Sequence, residues 1–212
     1  MSVKSIIFDF GGVICNIDIS ITEKAFSALG LRKFDNAYSV TERDTFFGRF
    51  ENGLITPDQF RETLKKYVGR RVTDAEIDSA WNALLLDMPE PRIALLKKLR
   101  TKYRLFLLSN TNQIHYEHYL KDLQAVHGCM DFTDLFEKAY FSHQIGLKKP
   151  FREVFDFVLK DTGLSAGETL FIDDSIKHIE GARKAGLQAY HLKKGEDITD
   201  LFSPEMQFLP PL

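Results

Sequence analysis

The 212 residues predict an α/β fold in which helices cover both faces of a parallel sheet. Three observations carry that prediction. Short β-type runs recur at Val3–Phe8, Arg104–Leu108, Lys138–Phe141, Thr169–Ile172 and Gln188–Leu192. Several of them are almost wholly apolar, which suits strands buried on both faces rather than strands alternating between core and water. Helical patterns separate the later runs, as parallel crossovers require.

The first strand, ending at Phe8, is followed by a long stretch of different character. From Ile19 to Met88 no convincing strand appears, and helix start and stop signals follow one another. Thr56-Pro57-Asp58-Gln59 combines an N-cap, a proline at the first helical position and a capping-box glutamine. The apolar pattern Phe60, Leu64, Tyr67, Val68 then runs to a stop at Gly69. Thr73-Asp74-Ala75-Glu76 repeats the box before Ile77, Ala80, Trp81, Leu84 and Leu85, and Pro89 ends that run. Phe46, Phe47, Phe50, Trp81 and Leu84 to Leu86 fall at helical spacing and are read as packing residues. The block is all-helical, with short connections near Asn16–Ser20 and Met88–Pro91 that act as two hinges.

Composition excludes several classes of function. Twenty-eight Lys plus Arg against 30 Asp plus Glu give a net charge of −2, so no basic field attracts nucleic acid or an anionic membrane. No apolar run exceeds four residues, so neither a signal peptide nor a membrane span is expected. Cys15 and Cys129 have no metal-type spacing and read as two core thiols of a reducing, cytoplasmic protein. Nothing in the sequence speaks to oligomeric state.

Four strand ends carry polar chemistry. The first closes as Phe8-Asp9-Phe10-Gly11-Gly12-Val13, a carboxylate followed by glycines that allow a tight turn with N–H groups aimed at an anion. The second closes as Leu108-Ser109-Asn110, a hydroxyl at the same edge, where Ser and Asn also cap helices well. Gly146-Leu147-Lys148-Lys149-Pro150 sets two ammonium groups before a proline suited to a helix's first position. Ile172-Asp173-Asp174-Ser175 ends a strand with adjacent carboxylates, which repel unless a cation lies between them. A hard ion such as Mg²⁺ suits that pair. Each segment alone has an ordinary reading as a turn, a cap or a solvated charge pair, but four such accidents in this order are improbable. Ligands bind outside strand ends of this type in open α/β sheets.

In this order the motifs resemble those of the haloacid dehalogenase-like hydrolase superfamily, and the resemblance covers essentially the whole chain. The first motif is similar to that of a phosphatase branch reading Asp-x-Gly-[Asn/Gly]-Val, which includes an enzyme acting on α-D-glucose 1-phosphate. The resemblance implies a three-layer Rossmann-like parallel-sheet core over residues 1–17 and 89–212 and a helical cap domain over residues 18–88. It implies Asp9 as the nucleophile that forms an aspartyl-phosphate, Ser109 as a phosphoryl hydrogen-bond donor and Lys149, rather than Lys148, as the charge-balancing lysine. Gly11, Gly12 and Asn110 are expected to contact substrate. Mg²⁺ is expected on Asp9, the Gly11 carbonyl and Asp174, with or without Asp173. The implied partner is a small phosphorylated metabolite, a sugar phosphate above all.

The sequence departs from the family at Gly11, where most of its phosphatases carry a second Asp that protonates the leaving alkoxide. Such help is worth about 10²–10⁴-fold, or about 3–5 kcal/mol of barrier. Three explanations stand side by side. Another acid acts, Asp18 being nearest in sequence although it also suits a helix cap before Ile19; or the leaving group is weakly basic, as in an anomeric sugar phosphate; or the chain only binds. A 2-haloacid dehalogenase, whose halide needs no proton, is the alternative enzyme. His178 stands where relatives often have Asn and is placed to hydrogen-bond a motif carboxylate. His115 and His118 are read as surface residues of a helix. Arg49, Glu51 and Asn52, beside the Gly53 break, are candidates for contacting substrate hydroxyls.

Overall fold

The five apolar runs form one sheet of five strands: β1 (Ser5–Phe8), β2 (Arg104–Ser109), β3 (Lys138–Phe141), β4 (Thr169–Asp173) and β5 (Gln188–His191). The computed structural model describes residues 3–31, 45–68 and 71–211. Every pairing is parallel and the order is β3-β2-β1-β4-β5. Phe8 pairs with Leu107 on one side and Ile172 on the other, so Asp9, Ser109 and Asp173 emerge at one edge of the sheet.

Alternate strand residues feed two cores. Ile6, Phe8, Leu105, Leu107, Leu170 and Ile172 face α5 (Glu90–Leu99) and α6 (Gln113–His127) through Leu96, Leu99, Tyr119 and Leu123. Ile7, Phe106, Leu108 and Phe171 face α8 (Arg152–Thr162) and α9 (Ile176–Lys184) through Val154, Phe155, Val158 and Ile179. Helices on both faces cover the central strands, which is why β1, β4 and all of β2 after Arg104 are buried, whereas the edge strand β5 is only partly so. Between β3 and α8 lies a short helix, α7 (Ser142–Ile145). Pro150 precedes α8 by two residues instead of opening it. Among the described residues, no helix is long and apolar enough to cross a membrane.

The inserted block contains α1 (Ile19–Leu29), α2 (Phe46–Glu51), α3 (Pro57–Tyr67) and α4 (Asp74–Asn82). Both capping boxes form, at Thr56 with Gln59 and at Thr73 with Glu76. The stop expected at Gly69 lies outside the described residues. A third core fills this cap: Phe50 and Phe60 stack at 4.2 Å, and Phe26, Phe47, Leu64 and Trp81 close around them.

One expectation fails. Helix α4 ends at Asn82, so Leu84 to Leu86 are not on a helix face; Leu84 is buried, Leu86 is exposed, and the segment runs beside the outgoing connection. Asn16 donates from its N–H to the Asp87 carbonyl, Leu86 to Asn16, and Asp18 to Leu84, all at 2.9 Å. Two neighbouring linkers satisfy each other's main chain in this short antiparallel ribbon, an outcome that helical propensity cannot match once Trp81 is docked. Arg92 ties its base, donating to Asp197 and to the Asn16 side chain.

The cap meets the core on α6. Trp81 Nε1 donates to Asn112 Oδ1 at 3.2 Å, and its ring stacks on His115 at 4.7 Å. His115 is therefore buried, not on the surface, whereas His118 is half-buried, 3.8 Å from Asp122. Asn112 Nδ2 donates to His115 Nδ1, which leaves Nε2–H to donate to the Trp81 carbonyl, a neutral tautomer. Burial lowers the His115 pKa to about 4. The unfolded chain binds this proton near pH 6.5, so His115's contribution is present above pH 6.5 and is lost as pH falls towards 4. Thermal melts should show a loss approaching about 3 kcal/mol across that window, and His115→Phe should flatten it.

Candidate active site

Asp9 follows β1 directly, and its carboxylate is fixed before any ligand arrives. Oδ1 accepts from the Phe10 N–H at 2.6 Å and from Lys149 Nζ at 2.7 Å. The same ammonium donates to Asp173 Oδ2 at 2.7 Å. Lys149 and Asp173 have no solvent exposure at all. Burial alone would depress the lysine, but Asp173 and Asp9 outweigh it and hold its pKa above the ordinary value. Burial likewise opposes ionisation of Asp173, yet Lys149 and His178 hold its carboxyl well below the usual range. For Asp9 the balance is reversed: burial, then the charge of Asp173, push its carboxyl well above the ordinary value despite Lys149. Two carboxylates, those of Asp9 and Asp173, thus share the one Lys149 ammonium.

Asp173 is committed on both oxygens, since Oδ1 accepts from the Ser175 N–H at 2.8 Å and from His178 Nδ1 at 2.9 Å. Asp9, Asp173 and His178 lie close enough to suggest a metal cluster, but the Lys149 ammonium already bridges the two carboxylates. Asp174 points the other way, into solvent, and its carboxylate rests against Gly12. Burial of one side and the neighbouring Asp173 raise its pKa.

The turn after Asp9 is closed by its own main chain. Phe10 carbonyl accepts from Ile14 and Cys15, and the Gly12 N–H donates to the Cys15 carbonyl at 2.8 Å. The Gly12 amide is thus not available to an anion, contrary to the sequence expectation. Glycine is required there because φ is +77° and a Cβ would overlap the Asp174 carboxylate. Both bonds of the Gly11–Cys15 bridge are made by Cys15, so the Gly11 carbonyl stays outside the loop's hydrogen bonding. A Cβ at Gly11 would lie 3.4 Å from Ile17 Cδ1, so an apolar side chain faces the place where a second carboxylate would stand.

Ser109 ends β2, and its hydroxyl has no partner among the described residues, although the residue is 3% exposed. Asn110 behaves differently from the substrate contact expected of it. Its Nδ2 donates to the Lys149 carbonyl and its Oδ1 accepts from the Lys149 N–H, both at 2.9 Å, so the side chain clamps the lysine's main chain. No local pattern announces such a match; it exists only because β2 and the segment before α8 are neighbours. Lys148 turns away from the site and meets Glu51 of the cap at 2.8 Å. Arg49 is exposed and Asn52 is buried. Asp18 caps α1, accepting from the Ser20 N–H at 2.9 Å, and hydrogen bonding from the Ser20 side chain and then its main chain lowers its pKa, the wrong direction for an acid at neutral pH. A cleft of about 830 Å³ opens beside Gly12 and Asp174, with Asn16, Lys193 and Lys194 on its walls.

Comparison with known proteins places this geometry among relatives. A family model described as haloacid dehalogenase-like hydrolase matches residues 3–186. The chain is 33% identical to a D-ribitol-5-phosphate phosphatase of Bacteroides thetaiotaomicron, over 92% of this chain and 94% of that one. It is similar to a crystal structure of a HAD-family enzyme from the same organism in complex with magnesium and inorganic phosphate, with 37% identity, a TM-score of 0.87, and coverage of 95% and 100%. A HAD-like hydrolase structure from Porphyromonas gingivalis matches at 28% identity and a TM-score of 0.83, covering 92% and 94%.

Two substitutions test the supports just described. Asn110→Ala releases the main chain of Lys149, and misplacement on the scale of an ångström should lower kcat about 10²-fold while KM changes little. Gly12→Ala combines a left-handed backbone with an overlap at Asp174, so it should lose about 1–3 kcal/mol of stability in chemical denaturation, together with weaker divalent-ion binding in calorimetry.

Proposed function

Because the chain belongs to the haloacid dehalogenase-like hydrolase family, we propose that it removes phosphate from a small polyol or sugar phosphomonoester and that Asp9 carries the phosphoryl group in between. The enzyme is a phosphatase and its cofactor is Mg²⁺. The observation that carries the reading is the Lys149 ammonium, 2.7 Å from both Asp9 and Asp173, with the unpartnered Ser109 hydroxyl on the adjacent strand end.

The residues fit the metal. Asp9, the Gly11 carbonyl and Asp174, whose carboxylate lies against Gly12, are oxygen donors of the kind Mg²⁺ prefers, and a cation would offset the burial and the Asp173 charge that together raise the Asp9 pKa. Asp173, held by Lys149, Ser175 and His178, serves as a support for the lysine. When bound, the ion offsets phosphoryl charge so that an anionic carboxylate can approach an anionic ester.

The chain's own residues do the rest. Oδ2 of Asp9, which has no donor among the described residues, attacks phosphorus; an Asp9–phosphorus bond forms as the ester P–O bond breaks. Ser109 donates to a phosphoryl oxygen, and Lys149 balances the charge that leaves Asp9. The departing alkoxide takes its proton from water of the cleft beside Gly12, since Gly11 brings no acid, Ile17 occupies that direction, and Asp18 is held as a cap. Water then attacks phosphorus, the Asp9–phosphorus bond breaks, and phosphate leaves. An anomeric phosphate, with its less basic leaving group, needs the least help; a primary polyol phosphate, the substrate of the Bacteroides relative, needs more. The free, buried Cys15 and Cys129 support a reducing, cytoplasmic setting.

Phosphate release should be measured from p-nitrophenyl phosphate, primary polyol phosphates and anomeric sugar phosphates, with Mg²⁺ or EDTA. Turnover is expected only with the metal, and Asp9→Asn should reduce it by about 10⁴-fold or more. Full turnover in Asp9→Asn would remove the aspartyl-phosphate. Chloride release from 2-chloropropionate in EDTA would favour a dehalogenase, and ester binding without turnover a binding protein.

A further inference from the structure

Lys148 and Lys149 are consecutive and both are fully buried, yet they serve different parts of the molecule. Lys149 reaches Asp9 and Asp173 in the core, and Lys148 reaches Glu51 Oε2 at the end of α2, in the cap. A buried ammonium persists only with its counter-charge in place. If Glu51 withdraws, the segment carrying Lys148 must rearrange to hydrate it, and that segment also carries Lys149.

Glu51 is itself held by the core. Its carbonyl lies 2.6 Å from Ser142 Oγ, a hydroxyl that also accepts from the Thr111 N–H at 2.9 Å. Two residues on, Gly53 has a φ of +68°, and a Cβ there would overlap the His143 carbonyl. The end of α2 thus touches α7, whose Ser142 is itself bonded to Thr111 after β2, and the segment before α8, which carries Lys149.

A second observation concerns the quality of this contact. At this contact the buried Oδ1 atoms of Asn52 and Asn82 lack a hydrogen-bond partner among the described residues. Asn52 adjoins Gly53, and Asn82 follows Trp81. Docking the cap leaves these groups dry, at a cost in free energy, so the ion pair has leverage over whether the contact holds.

We infer that the Glu51–Lys148 pair is the link through which the docked cap keeps Lys149 between Asp9 and Asp173, which makes Glu51 a positioning residue that touches neither. Asn110 restrains the main chain of Lys149 from the core side, and Glu51, acting through Lys148, restrains it from the cap side. The kinetic consequence rests on the phosphatase reading; the structural one does not.

The test uses Glu51→Gln, Lys148→Met and the exchange Glu51→Lys/Lys148→Glu in the full-length protein. Trp81 is the chain's single tryptophan and sits on His115, so its quenching by acrylamide reports docking without substrate. Each single variant should expose Trp81 to acrylamide and lower kcat by about tenfold or more while KM stays within about threefold. The exchange should restore both readouts. Wild-type kcat in the singles, or a folded exchange variant that remains slow, overturns the proposal. If the singles fail to fold by circular dichroism, a folded and active exchange variant supports it and an unfolded one overturns it. If the wild type hydrolyses no phosphomonoester, the functional reading fails, and Trp81 quenching alone decides whether the pair holds the cap.

Discussion

One ammonium shared by two carboxylates, sealed from water, is the constraint around which this molecule is arranged. Such a triad is stable only if every partner is in place, because a displaced member leaves charge stranded in a medium that solvates it poorly. Adjacent strands lie about 4.8 Å apart, so only residues at the ends of neighbouring strands can share one ammonium. The pairing of β1 with β4, in the register that sets Phe8 beside Ile172, brings Asp9 and Asp173 to that distance. The lysine comes from outside the sheet, so its main chain needs a separate anchor, and Asn110, directly after β2, supplies it. The strand order thus follows from the requirements of one cation as much as from the apolar faces.

The features legible in the sequence were those written in local patterns. Apolar runs marked the strands because a sheet covered on both faces tolerates nothing else, and the two capping boxes marked helices because their partners are three residues apart. The edge chemistry of Asp9, Ser109, Lys149 and Asp173-Asp174 was legible as well, through the order of the strand ends. Features that depend on contact across the chain were not. Helical spacing continued through Leu84 to Leu86, although the chain leaves the helix there to pair with Asn16–Asp18. The Gly11-Gly12 turn suggested amides facing an anion, but which amides a turn uses for itself depends on the path back to Cys15. His115 read as a surface residue because only docking of Trp81 buries it. The clamp by Asn110 and the pairing of Lys148 with Glu51 had no local sign.

The position of Gly11 shows how one substitution is absorbed. A glycine there leaves its main-chain carbonyl outside the loop's hydrogen bonds, and a Cβ at this position would meet Ile17 Cδ1 at 3.4 Å. Ile17 also belongs to the outgoing linker, paired with Leu85. The residue facing Gly11 is therefore part of the cap's attachment, so the surroundings of the turn after Asp9 and the seating of the cap are set by the same few residues.

The ribbon of paired linkers also governs how the chain can be extended. Joining Asn16–Asp18 to Leu84–Asp87 closes everything between them into a loop whose ends already touch. The entropy of closing a flexible loop grows only with the logarithm of its length, about 0.6 kcal/mol for each doubling. To the sheet, the insertion is thermodynamically little more than a long hairpin turn, whatever its content. Strands β1 and β2 can pair across the insertion with little dependence on its size. An architecture joined in this way can lengthen or shorten its cap without disturbing the pairing of β1 with β2, as long as the end of α2 still delivers Glu51 to Lys148.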